Sequence, residues 1–166
     1  RMSAMLTLEE AQARLLALAP AMPHVTPGGK SFGETQYLSQ DLIALRTQPE
    51  ADLSAMDGYA IAGDGPWQMA GESRAGKPYT GTIRPGECTR VSTGAHMPSG
   101  TDRVLIQENA AVDGAQVALA AGEAPPEAGR HVRKAGFDFR KGDLLLSRGT
   151  RIGPGQLALA RAAGYD

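Results

Sequence analysis

The stretch ADLSAMDGYAIAG, residues 51–63, sets two carboxylates and a serine among small apolar residues and runs into YAIA, a short strand-like segment. Asp57-Gly58 has the chemistry of a tight hairpin turn, with Gly58 supplying the backbone freedom. The same loop can also present a carboxylate to a ligand, because sites are disproportionately built on loops held by a rigid scaffold. What surrounds the stretch decides between these readings.

Downstream, CTRV, RVLIQE, QVALA and DLLLS alternate with clusters of Gly, Pro, Asp and Ser, the punctuation of many short strands. Asp113-Gly114, between NAAV and AQVALA, predicts a two-residue hairpin turn. The prolines and small residues of 121–130 predict an exposed loop. Helices are expected at both ends. Thr7 and Glu10 have capping-box spacing before an apolar face over 7–19 that stops at Pro20 and Pro23, and Pro154 opens an apolar segment that Gly164 closes. With 21 Gly and 11 Pro but only 5% aromatic residues, the 166-residue chain is predicted to be α+β and β-rich. The predicted layout is a helix-containing base made by 1–52 and 133–166, carrying an insert of short, mostly antiparallel strands over 53–132. No 20- to 50-residue repeat supports a solenoid or propeller.

The formal net charge of −1 and the lack of any Lys/Arg block argue against nucleic acid or an anionic membrane surface as the main partner. No apolar run approaches a membrane span, and LLALAPAM follows Glu9, Glu10 and Arg14 rather than a basic leader. Cys88 is the single cysteine, so no internal disulfide forms; this fits a reducing, cytoplasmic setting and a buried, inert thiol. GGKS at 28–31 lacks the earlier glycine of a P-loop, because His24 stands there. His24, His96 and His131 have no metal-ligand spacing, and no serine sits in a GxSxG elbow.

Two candidate stretches remain. Asp57 in SAMDGYA is a turn residue or a ligand to a hard cation, most economically Mg2+, which needs only one or two protein carboxylates. VSTGAHMPSGTD, residues 91–102, is a plain turn or a cradle in which Ser92, Thr93 and the Gly94 amide hold an oxyanion by neutral hydrogen bonds.

In order, SAMDGYA (54–60), AGKPYTG (75–81), PGECTRVSTGAHMPSGTDRVLIQE (85–108), VRKAGFDFRKGD (132–143) and GTRIGPGQLALARAAG (149–164) resemble the N-terminal part of the molybdopterin molybdenumtransferases, the MoeA proteins and the E domain of gephyrin. The resemblance implies insertion of molybdate into adenylylated molybdopterin with Mg2+ assisting, in a homodimer of elongated subunits. It also implies the base-and-insert layout. By position, Asp57 and Thr93 are the implied catalytic residues, with Asp57 the metal ligand. Ser92, Gly94, Arg133 and Asp138 are implied to bind substrate, although a structural Arg133–Asp138 pair is the preferred reading of those two. Asp52 is expected to do local turn or capping work. The pattern departs from the family at Leu53, where Asn is usual, at His96 in place of a proline, and at Phe137 in place of a Glu. The family's pterin-binding domain and C-terminal barrel are expected to be absent, leaving the chain inactive alone. The alternative is a non-catalytic scaffold of the same fold.

Overall fold

The computed structural model describes residues 7–18 and 36–165. GGKS, His24 and the Pro20–Pro23 helix stop lie outside the described residues. Helix α1, Leu8–Leu18, starts as its capping box predicts: Thr7 N donates to Glu10 Oε2 at 2.9 Å and Glu10 N to Thr7 Oγ1 at 3.2 Å. Helix α2, Pro154–Ala163, has proline in its first turn and ends on Gly164 at φ 104°. Arg46 closes its far end, donating to the carbonyls of Ala162 and Arg161 at 2.7 and 3.1 Å.

Among the described residues twelve strands lie between the helices: β1 (Gln36–Tyr37), β2 (Leu42–Ile43), β3 (Leu53–Ser54), β4 (Gly58–Ile61), β5 (Trp67–Ser73), β6 (Glu87–Val91), β7 (Arg103–Ile106), β8 (Ala110–Asp113), β9 (Gln116–Leu119), β10 (Val132–Arg133), β11 (Leu144–Leu146) and β12 (Arg151–Ile152). Strands β4 to β9 form a six-stranded sheet in the order β7-β4-β6-β5-β9-β8. All its pairings are antiparallel except β5 with β6. Strand β4 is buried on both faces, which is why GYAI carries no charge. Tyr59 and Ile61 pack with Trp67, Cys88, Leu105 and Val117 on one side, and Ala60 packs with Val91 and Val104 on the other. Burial pushes the Cys88 thiol up to about 11, as expected of an inert structural cysteine.

Three local expectations are corrected. Asp113 pairs with Gln116, so the hairpin turn is Gly114-Ala115, one residue later than predicted, with Gly114 at φ 57°. Residues 55–57 are not a hairpin: β3 pairs with β10 and β4 with β6 and β7, so the segment connects two sheets. Gly58 does not supply a positive φ. A Cβ there would lie 2.2 Å from the Leu105 carbonyl oxygen, so glycine is required by the close approach of β7. Strand β5 was not among the predicted runs: its inward positions are Trp67, Met69, Gly71 and Ser73, so the apolar alternation fades halfway along, and a bulge between Met69 and Gly71 shifts its register with β6.

Outside this sheet, the two limbs of the chain run antiparallel to one another. Their contacts are β1 with β12, β2 with β11, a bridge from Gln48 to Phe139, and β3 with β10. Ala44, Phe139 and Ala163 form a separate small core here, with Leu145, Leu159 and Tyr165 against it. Where the limbs enter the sheet, Asp52 Oδ2 accepts from Lys134 Nζ at 2.8 Å and Oδ1 from the Ala135 amide at 2.9 Å. The local turn role expected of Asp52 is therefore replaced by a cross-limb clamp, a contact that sequence separation conceals.

Three outcomes follow. Gly58→Ala lowers stability by about 2–3 kcal/mol, because the obstacle is backbone and no rotamer relieves it; thermal unfolding reads this as a Tm drop of about 5–10 °C. Thr89 is buried and its hydroxyl has no hydrogen-bond partner, so Thr89→Val raises stability by about 1 kcal/mol, read as a Tm increase of about 2–4 °C. The hydrogen bond from Lys134 is the main cause holding the Asp52 carboxyl below its ordinary 3.8, against opposing desolvation. That stability is fully present above the ordinary value and is lost as pH falls through the lower folded value. Asp52→Asn accordingly lowers Tm at neutral pH, and the difference from the parent shrinks in acid.

Candidate functional site

The connection between β3 and β4 is shaped from its first residue. Ser54 is buried, and its hydroxyl donates to the Met56 carbonyl at 2.6 Å, curling the backbone so that Asp57 projects to the surface. The Asp57 carbonyl accepts from the Gln107 amide at 3.1 Å, and Gly58 then enters β4 between β6 and β7. Strand β6 ends opposite, at Val91, and delivers Ser92, Thr93 and Gly94 to the same place.

Asp57 and Thr93 meet there. Asp57 Oδ1 accepts from the Thr93 amide at 2.7 Å and from Thr93 Oγ1 at 3.0 Å. These two bonds, the backbone one first, hold the exposed Asp57 carboxyl below the usual aspartate value, and the positive charge of Arg90 adds to them against a small desolvation effect. Both donors fall on Oδ1, leaving Oδ2 without a donor among the described residues.

The oxyanion cradle expected at 92–94 is not present in that form. The Gly94 amide donates to the Ser54 carbonyl at 2.8 Å, and the Ser92 carbonyl accepts from the Ala95 amide at 2.9 Å. A backbone amide has one hydrogen, so the Gly94 N–H is committed to the turn. The Thr93 hydroxyl hydrogen is likewise committed to an ionised carboxylate, which can only accept. Thr93 thus holds the Asp57 carboxylate in one orientation. Ser92 and Gly94, the latter at φ 81°, shape the turn that carries it.

Arg133 and Asp138 form the expected ion pair, and the Arg133 guanidinium also lies over the Phe137 ring, 5.2 Å from its centroid. This second group is joined to the first through β3. Leu53 pairs with Arg133 on one side and bridges to His96 on the other, while Ser54 pairs with Val132 and bonds to both Gly94 and Ala95. Three chain crossings, 94–96, 53–54 and 132–133, therefore lie side by side, with the outer two roughly 10 Å apart.

Arg90 was not singled out from the sequence. Its guanidinium lies over the Tyr59 ring, 5.2 Å from the centroid, and donates to Tyr59 OH at 3.0 Å and Gln107 Oε1 at 2.8 Å. It borders an open groove of about 580 Å³ lined also by Met69, Gly71 and Glu72. The register that sets Arg90 opposite Tyr59 was the missing information, since nothing in CTRV marks its arginine for a site.

Among the described residues no three His, Cys, Asp or Glu side chains gather as a metal cluster. A divalent ion here would have Asp57 Oδ2 as a single protein ligand, which suits a hard cation that takes its other ligands from phosphate and water. No helix among the described residues is long and apolar enough to cross a membrane.

Comparison with known proteins identifies the family. Residues 6–164 match the family model described as the MoeA N-terminal region, domains I and II. The chain is 30% identical over 165 residues to a molybdopterin molybdenumtransferase of Haemophilus influenzae, covering 96% of this chain and 40% of the relative. It is 31% identical over 189 residues to molybdopterin molybdenumtransferase 1 of Mycobacterium tuberculosis, covering 98% and 43%. A solved molybdopterin biosynthesis MoeA protein from Pyrococcus horikoshii aligns with a TM-score of 0.71 at 29% identity, over 81% of this chain and 36% of that one. The chain thus spans about two fifths of the length of these curated relatives. With the fold, the ordered motifs and the family match over residues 6–164 in agreement, the chain belongs to the MoeA family, of which it carries the N-terminal region.

Proposed function

We propose that this chain is the N-terminal part of a cytoplasmic molybdopterin molybdenumtransferase, which inserts molybdate into adenylylated molybdopterin during molybdenum cofactor biosynthesis. In this reading Asp57 and Thr93 supply one wall of a cleft that the family's pterin-binding domain completes, so the chain alone is inactive. The base is discontinuous, residues 1–52 and 133–166, and residues 53–132 are the insert. Two separate hydrophobic cores support that division. The exposed leucines of α1, Leu8, Leu15, Leu16 and Leu18, support assembly as a homodimer.

The observation that carries the proposal is the double hydrogen bond from Thr93 to one oxygen of Asp57. It fixes the carboxylate, favours its ionised form and leaves the other oxygen without a donor among the described residues. The substrates are anions: a molybdate dianion must approach a dithiolene beside a phosphoanhydride, and electrostatic preorganisation is the main service a protein can give. Asp57 would hold Mg2+, which when bound screens that negative charge. Arg133, paired with Asp138, keeps donor hydrogens for a phosphate oxygen.

The test is cofactor synthesis by the full-length protein. Asp57→Asn reduces synthesis by at least about tenfold, Thr93→Val by less, and Thr93→Ser restores most of the loss because it retains both donors. Undiminished synthesis with Asp57→Asn removes Asp57 from the mechanism.

A further inference from the structure

Phe137 is the most exposed aromatic side chain among the described residues, at 70%. A ring that exposed gains little from burial, so packing does not account for an aromatic residue there. Nor is it on a loose loop. The Phe137 amide donates to Lys134 O at 3.0 Å across a turn whose Gly136 has φ 73°. Around it, Gly136 N donates to Pro49 O at 2.9 Å, Asp138 N to Gln48 O at 3.0 Å, and Ala135 N to Asp52 Oδ1 at 2.9 Å. Ala135, Gly136 and Asp138 are tied to the opposite limb, so the turn on either side of Phe137 is anchored and holds the ring out.

One face of the ring is covered by the Arg133 guanidinium, itself oriented by Asp138. A planar cation on one face leaves the other for a planar ligand. Arg133 uses one nitrogen on Asp138 and has further N–H donors in its fork for an anion. A rigid aromatic platform beside a partly committed arginine matches a flat heteroaromatic ring that carries a phosphate. Lys134, at the base of the turn, is engaged with Asp52, and the Arg140 side chain packs against Gly136; Arg133 is the cation that lies over the ring itself, and it has donors to spare. Strand β10, which carries Arg133 and leads into the turn, lies roughly 10 Å, two strand spacings, from the crossing that follows Thr93.

We propose that Phe137 and Arg133 form a stacking subsite for a phosphorylated, flat heteroaromatic group, the ring lying on the open face of Phe137 and the phosphate on Arg133. Under the proposed function, on which the identity of the ligand rests, that group is the adenylyl or the pterin part of the substrate. Both share the chemistry that the subsite reads. The phosphate would bridge toward Asp57, so that one extended ligand reaches both groups of residues.

The test is NMR titration of the 166-residue chain with millimolar AMP, a pterin phosphate, ribose 5-phosphate and inorganic phosphate. At least one of the two ring compounds is expected to shift the Phe137 ring signals and the amides of 133–138, with ring-current upfield shifts of its own base protons. Which of the two responds identifies the source. Phe137→Ala weakens that binding about tenfold and Phe137→Trp preserves it, without disturbing the rest of the amide spectrum because the ring is exposed. Arg133→Gln removes the preference for the phosphorylated ring compound over its unphosphorylated parent. Absence of a response to both ring compounds overturns the proposal, as do equal binding by ribose 5-phosphate or unchanged affinity in Phe137→Ala. No activity is read, so failure here stands apart from failure of the molybdenumtransferase reading, which the Asp57→Asn synthesis assay decides.

Discussion

The backbone of Ser54 is where this structure is held together. Its amide donates to Ala95, its carbonyl accepts from Gly94, and on its other side it pairs with Val132. Three segments far apart in sequence are thus locked into neighbouring positions by main-chain bonds, which depend little on side-chain identity. The buried hydroxyl of the same residue then curls the next three residues outward. Without that junction, Asp57 and Thr93 have no reason to meet, and Arg133 has no fixed relation to either.

The charged groups at the junction are arranged in pairs with a division of labour. Asp52 with Lys134 crosses between the limbs, Arg133 with Asp138 steadies a turn, and Arg90 is immobilised on Tyr59 and Gln107. Asp57 differs from the other two carboxylates because its donors are the neutral groups of Thr93. A neutral pairing orients a carboxylate and keeps it ionised while leaving its full negative charge to act outward. An arginine or lysine partner in the same place would have cancelled that charge.

Much of this was legible in the sequence, and the failures share one cause. The helices at both ends, the capping box, the strand runs around β4, β6, β7 and β9, and the buried cysteine follow from periodicity and local chemistry. The Asp57–Thr93 meeting came from matching ordered motifs to a family, since 36 residues separate the two. What was misread depended on contacts between distant segments. Asp52 was assigned local work because its partners lie 82 and 83 residues away. Gly58 was credited with turn freedom because the approach of Leu105 is invisible in one dimension, and the Gly94 amide was thought available because its acceptor, Ser54, belongs to another element. Arg90 escaped notice because only register joins it to the site.

The antiparallel limbs have a further consequence for how the molecule is assembled during synthesis. All six strands of the large sheet have left the ribosome once Leu119 emerges, and they bury a core of their own. The small core of Ala44, Phe139 and Ala163 cannot close until α2 is made. Residues 36–54 therefore wait, unpaired along most of their length, for a partner strand translated roughly a hundred residues later. Through that interval the finished sheet holds its end of the waiting limb, because β4 follows β3 by only three residues. It restricts where the late-arriving strand can find its match, shortening a search that a free chain would have to make across its whole length.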